Sequence, residues 1–141
     1  MLKQVFSSST HSILQKSMDT ANLRNEVIAN NIANVDTPDF KRSEVVFEDK
    51  LKELLSTKAN RSELQTTNPK HIQLGGNNNS IKQIEPTIHQ VGDYSYRNDK
   101  NNVNIDTEMA KLAKNKINYD ALTQSMSNEI RLLRIAITGR G

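Results

Sequence analysis

The sequence predicts a mainly α-helical fold. Long N- and C-terminal helices pack as an antiparallel coiled-coil-like pair, and the middle segment holds one short helix with irregular or short extended pieces. Two observations carry this prediction. The chain breakers are confined to the centre: among 141 residues the glycines are at 75, 76, 92, 139 and 141 and the prolines at 38, 69 and 86. Segments 1–37 and 93–138 therefore contain neither. Both breaker-free ends also carry apolar residues alternating by four and three, the spacing of a helical seam and not of a half-buried strand. The expected organisation is a discontinuous helical core, 1–35 with 105–141, and an outer or bridging segment, 36–104.

In the first segment the seam is Leu14, Met18, Ala21, Asn25, Ile28, Ile32 and Val35. Ser7, Ser8, Ser9 and Thr10 are N-cap candidates. Asn34 suits a left-handed residue just past the helix, and Pro38 blocks continuation. In the last segment the seam is Ile105, Met109, Leu112, Lys116, Tyr119, Thr123, Met126, Ile130, Leu133 and Ile137. Asp106 or Thr107 can cap its start, Arg131 and Arg134 suit its last turns, and Gly139 ends it. A weaker stripe of Ala110, Ala113, Ile117 and Ala121 widens the apolar face, which implies more than one helical neighbour. Antiparallel packing with Asn34 level with Thr107 puts Asn25 and Lys116 in one polar layer that fixes register, with Met18 near Thr123 and Ala21 near Tyr119.

The middle is less regular. Val46, Phe47, Leu51, Leu54 and Leu55 suggest a short amphipathic helix near 44–56. Beyond it Ile72, Leu74, Ile81, Ile84, Ile88 and Val91 are isolated apolar residues suited to short extended pieces, and Gly75-Gly76 to a flexible turn.

Composition bounds the chemistry. The apolar fraction is 35% and the aromatic fraction 4%, little material for a core that must offset about 1–2 kcal/mol of backbone ordering per residue. The excess positive charge of +3 resides in the terminal segments. No cysteine is present, which excludes disulfides and thiolate metal sites. His11, His71 and His89 lack metal-ligand spacing. Gly75-Gly76 lacks the setting of a phosphate loop, and carboxylates interleave with cations as on a solvated helix face. The cations of the last helix are too dispersed for a nucleic-acid motif. No run is long enough to span a membrane, and residues 1–10 lack the pattern of a cleavable signal. The expectation is no catalytic residue, no metal, no cofactor, no small-molecule substrate and no nucleic acid. Association remains: a self-assembling structural subunit, or a soluble coiled-coil adaptor or export-regulating protein, with a helical nucleic-acid binder behind both.

The stretch Ala29-Asn30-Asn31-Ile32-Ala33-Asn34, followed by Thr37-Pro38 and Phe40, resembles the signature of flagellar rod and hook axial proteins. Asn68-Pro69-Lys70-His71-Ile72, Asn101-Asn102-Val103-Asn104-Ile105-Asp106 with Glu108-Met109, and Tyr119-Asp120-Ala121-Leu122-Thr123-Gln124 resemble its proximal-rod members, as does the length. One departure is Lys100, where the family more often has a glycine before the asparagine pair. Physically, the signature reads as a helix stop. Ala29 and Ala33 permit close helix approach, Asn30, Asn31 and Asn34 serve carbonyls at the helix end, Thr37-Pro38 favours an extended exit, and Phe40 anchors the loop. The resemblance implies a non-enzymatic rod subunit of the bacterial flagellar basal body, in the periplasm. It implies export through the flagellar type III apparatus without a cleavable signal. The implied partners are copies of itself, other proximal rod proteins, and the adaptor that joins the rod to the membrane-embedded ring. Leu14, Met18, Ala21, Asn25, Ile28, Ile32, Met109, Leu112, Lys116, Tyr119, Met126, Ile130, Leu133 and Ile137 are the expected helix-packing and subunit-interface residues.

Overall fold

The computed structural model describes residues 9–59, 84–92 and 97–139. Helix α1 (Ser9–Ala33) leads into strand β1 (Ser43–Val46) and helix α2 (Glu48–Ala59). Strand β2 (Thr87–Gln90) precedes the long helix α3 (Ile105–Thr138). Ser7, Ser8, the stretch 68–72, Leu74, Gly75, Gly76 and Ile81 lie outside the described residues, so the expectations placed on them have no counterpart here.

α1 and α3 pack antiparallel. Asn31 near the end of α1 meets Glu108 at the start of α3, and Asn25 meets Asn115 further along the pair. The strands β1 and β2 pair antiparallel, with Ser43 opposite Gln90 and Val46 opposite Thr87. Among the described residues the apolar core is Ala21, Val27, Ile28, Val45, Phe47, Ile84 and Val103. The most deeply buried large side chains are polar: Glu108, Asn31, Asn101, Asn115 and Thr20.

The boundaries differ from the sequence expectation in four places. The helix expected near 44–56 begins at Glu48, because Ser43–Val46 is strand. Its alternation turns Val45 inward, and β-branched valines suit a half-buried pleat. Glu48 and Asp49 then stand in the first turn of α2, where the helix dipole favours carboxylates. Asn34 is not left-handed; the described non-glycine residues with positive φ are Asp39 and Lys100. α3 is capped by Asn104, not by Asp106 or Thr107. Asn104 has the extended backbone a cap requires, and its Oδ1 accepts from the amides of Asp106 and Thr107 at 2.9 and 3.2 Å. Asp106 and Glu108 occupy the first turn instead. At the other end Gly139 is the left-handed cap, its N–H donating to the Ile135 carbonyl. Arg131 and Arg134 fall short of the last turn.

The seam also lies at a different angle on α3. Glu108, Lys111, Asn115 and Leu122 form the side turned to α1. Leu112, Tyr119, Met126 and Leu133 are half-buried beside it. Ile105 and Met109 lie further round and are exposed. Ile130 and Ile137, toward the C-terminal end, are exposed too, as are Ile117 and Leu132 off the seam.

Stability should follow this gradient along α3. In a proven monomer the amides of 130–138 are expected to exchange at least about tenfold faster than those of 108–122, because few buried contacts hold them. Equal, strong protection over the whole of α1 and α3 in hydrogen-exchange experiments would contradict this.

Candidate assembly site

The signature residues close the end of α1 through asparagine side chains. Asn31 is fully buried. Its Nδ2 donates to the Ser43 carbonyl and to Glu108 Oε2, both at 2.9 Å, while its Oδ1 accepts from the Ser43 amide at 2.9 Å. One side chain thus completes the edge of β1 and serves a buried carboxylate on α3. Asn34 Nδ2 donates to the Asn30 carbonyl at 2.9 Å, and Asn34 Oδ1 accepts from Thr37 Oγ1 at 3.2 Å. The exit from the helix is a succession of turns and not an extended segment. Val35 N–H donates to the Ile32 carbonyl, Thr37 N–H to that of Asn34, and Phe40 N–H to that of Thr37.

The carbonyls left over are served from the far side of the sequence. Asn101 Nδ2 is shared among the carbonyls of Asn34, Val35 and Thr37 at 2.9, 3.0 and 2.9 Å, and its Oδ1 accepts from the Val103 amide at 2.7 Å. Asn102 does the same for the strand pair, accepting from the Arg42 amide at 2.8 Å and donating to the Val91 carbonyl at 2.9 Å. Val91 N–H donates to the Arg42 carbonyl at 2.9 Å, adding one rung beyond the strands. The two asparagine clusters of the sequence, 30–34 and 101–104, are therefore halves of one structure. The legible signal was their clustering beside both helix boundaries. Glu108 gave none.

Glu108 is 1% exposed, yet it has partners on two sides. Besides Asn31, Lys111 Nζ lies 3.0 Å from its Oε1 and 2.7 Å from Glu44 Oε1 on β1. Arg42 also pairs with Glu44. The Lys111 ammonium, and then Arg42, hold the Glu44 carboxyl below its ordinary range against the opposing effect of burial. Beside this network a groove of about 430 Å³, lined by Arg24, Glu48, Lys111 and Asn118 among others, lies between α1 with β1 and α3. Arg24 spans its margin, with Nη2 at 2.8 Å from both Glu48 oxygens.

Asn25 lies in a polar layer, but its partner is Asn115, one residue before Lys116. Asn115 Nδ2 donates to Asn25 Oδ1 at 2.7 Å and to the Ala21 carbonyl at 2.8 Å. Lys116 points away, pairs with Asp120 at 3.0 Å and lies over the Tyr119 ring. The short amide closes the layer inside the helix pair, whereas an ammonium there would lose hydration.

The remaining signature and seam residues divide by exposure. Ala21 and Ile28 are buried, and Leu14, Met18, Ile32 and Phe40 are half-buried. Ala29 and Ala33 do not provide close approach between α1 and α3: with Asn30, Thr37 and Pro38 they are exposed. Both alanines fall on the side of α1 turned away from α3, so any helix that they admit is a different one.

The departure at Lys100 has a structural meaning. Its φ is 57°, a left-handed conformation that glycine adopts freely and that costs other L-residues roughly 1–2 kcal/mol. Lys100→Gly is expected to raise stability by up to about 1 kcal/mol after the added freedom of the unfolded chain is counted. A urea midpoint that falls would show that the Lys100 side chain matters more than its backbone.

Comparison with known proteins places this architecture. Residues 15–41, which hold most of α1 and the stitched exit, match the family model "Flagella basal body rod protein". The chain is 35% identical over 132 residues to the flagellar basal body rod protein FlgB of Bacillus subtilis, covering 94% of this chain and 95% of that one. It is 37% identical over 123 residues to FlgB of Borrelia hermsii, covering 85% and 89%, and 35% identical over the same length to FlgB of Borreliella burgdorferi, with the same coverage. Identity at this level along nearly the whole length, with the signature at the stitched helix end, makes this chain a member of the FlgB family of flagellar basal body rod proteins.

Proposed function

We propose that the chain, by its family a structural subunit of the flagellar basal body rod, builds the proximal part of that rod. It packs its terminal helices against copies of itself and neighbouring rod proteins, and it transmits torque through those contacts without catalysing a reaction. On this reading 1–35 and 105–141 form an inner, tube-like layer, and 36–104 bridges outward. The subunit reaches the periplasm through the flagellar export apparatus, and an adaptor joins it to the membrane-embedded ring.

One observation carries the reading. α3 buries Glu108 and Asn115 and leaves Ile105, Met109, Ile117, Ile130, Leu132 and Ile137 exposed. A helix apolar on several sides requires further neighbours, and large exposed apolar faces mark association surfaces.

The test is Ile130→Asp and Leu133→Asp. Each sets a charge in the apolar seam, where an unpaired charge is strongly disfavoured in a packed interface. Near-complete loss of motility is expected, with the subunit still detected outside the cytoplasm. Normal motility in both variants would overturn the assignment of the seam.

A further inference from the structure

Resting on the reading of the chain as an assembling subunit, we infer that copies join through a charge-complementary contact between the outer face of α1 of one copy and the outer face of α3 of the next. At about 100° per residue, the side of α1 opposite buried Ala21, Ile28 and Asn31 carries Asp19, Asn22, Glu26, Ala29 and Ala33. All five are exposed. The charges on this face are two carboxylates, and neither Asp19 nor Glu26 has an ion pair among the described residues. The surface is acidic and polar in its first half and floored by two alanines, one turn apart, in its second.

The side of α3 opposite Glu108 and Asn115 carries Ala110, Ala113, Ile117 and Ala121, with Lys114 at its edge and Arg131 further along, all exposed. Lys114 and Arg131 likewise have no ion pair among the described residues. Of the carboxylates on this side Asp120 pairs with Lys116, while Asp106, in the first turn of the helix, has no ion pair among the described residues. Lys114 and Arg131 against Asp106 leave the unpaired charge on this face net positive. Ile117, 69% exposed, is the one large apolar side chain among these alanines.

Size, charge and placement agree. Ala29 and Ala33 on one face, and the alanines around Ile117 on the other, let the helix axes approach to the short end of the usual spacing of about 8–10 Å. The opposed charges favour α1 against α3 over either face against itself. The two faces point to opposite sides of the helix pair, so seating α1 on a neighbour leaves α3 free for the next copy. Such a contact is heterologous and does not close as a dimer; it propagates. It is also separate from the exposed edge of the seam at Met109 and Ile130, which leaves that edge for a different neighbour.

The chain has no cysteine, so engineered thiols report contacts without background. The full chain carrying Ala29→Cys and Ala113→Cys is treated with a short bismaleimide. A ladder of covalent oligomers is expected. Asp19→Lys with Glu26→Lys in that background should reduce the ladder by about tenfold, since like charges then meet. Lys114→Glu with Arg131→Glu should do the same. An equimolar mixture of the two variants should restore it, because the basic α1 of one then meets the acidic α3 of the other, and the reverse. A ladder unaffected by the reversals, or a mixture that fails to restore it while both variants keep wild-type helical circular dichroism, would overturn the contact. A ladder from Met109→Cys with Ile130→Cys but none from the 29/113 pair overturns this contact and leaves the assembly reading standing. No ladder from either pair defeats both.

Discussion

Asn101→Ala is expected to loosen the end of α1 and to lower stability by about 3 kcal/mol, because it abandons several buried groups at once. The Asn101 amide is shared among three carbonyls, and its own carbonyl holds the Val103 amide. The residue is 1% exposed, so water replaces it poorly. A single neutral hydrogen bond contributes only about 1 kcal/mol net, but an unpaired buried partner costs roughly 1–3 kcal/mol. Asn101→Asp is the sharper variant. It keeps the shape and turns a carboxylate toward three carbonyls, so its loss should be at least as large at neutral pH. Asn34→Ala, at a half-exposed position, should cost less than about 1 kcal/mol. Urea midpoints compare the three, and an Asn101→Ala loss no greater than that of Asn34→Ala would remove the stitch as the device that closes the helix.

Lys111→Met should cost about 3 kcal/mol at neutral pH. It leaves Glu108 buried beside the Asn31 amide and also removes the ammonium from Glu44. Breaking one side of a buried pair is costly because the other charge stays behind. Adding Glu108→Gln should recover part of the loss, since the stranded charge is then gone. Glu44 adds a dependence on pH. Its folded carboxyl is held below the ordinary range, chiefly by Lys111, so it contributes stability above its unfolded pKa and loses it as pH falls through the lower folded value. Glu44 is substantially solvated, which limits the size of this effect. Thermal melts from neutral to acid pH should therefore show a shallower decline in Lys111→Met than in the wild type. An unchanged slope would mean that the pair does not hold Glu44 ionised in solution.

The two long helices were legible because apolar periodicity over 25 residues in α1 and 34 in α3 has few competing explanations. The polar layer came out at nearly the right height for the same reason. Glu108 and Asn115 escaped notice as the innermost residues of α3 because periodic reasoning assigns polar side chains outward. Their burial depends on partners, Asn31 and Asn25, that lie in another segment. Strand β1 was absorbed into a helix because its pairing partner begins at Thr87, beyond the reach of local pattern. The cap at Asn104 fell two residues before Asp106, within the ordinary ambiguity of helix ends. The open faces of α3 were anticipated as extra width beside its seam and as interface residues within it; Ile117 is exposed in the first and Ile130 in the second.

The stitch at Asn101 also sets an order of events. Asn34 and Asn101 stand 67 positions apart, and Asn31 and Glu108 stand 77 apart. The closure entropy of such a loop grows only as the logarithm of its length, so the connection is thermodynamically tolerable but kinetically late. A chain emerging from its N-terminus through any narrow passage presents α1 first, with its final carbonyls unclaimed and its polar layer half built. The carbonyls are claimed once Asn101 has followed, and the layer is completed only by Asn115. The native end of the first helix is thus written in the last third of the chain, and α1 cannot reach its final packing before that part is present.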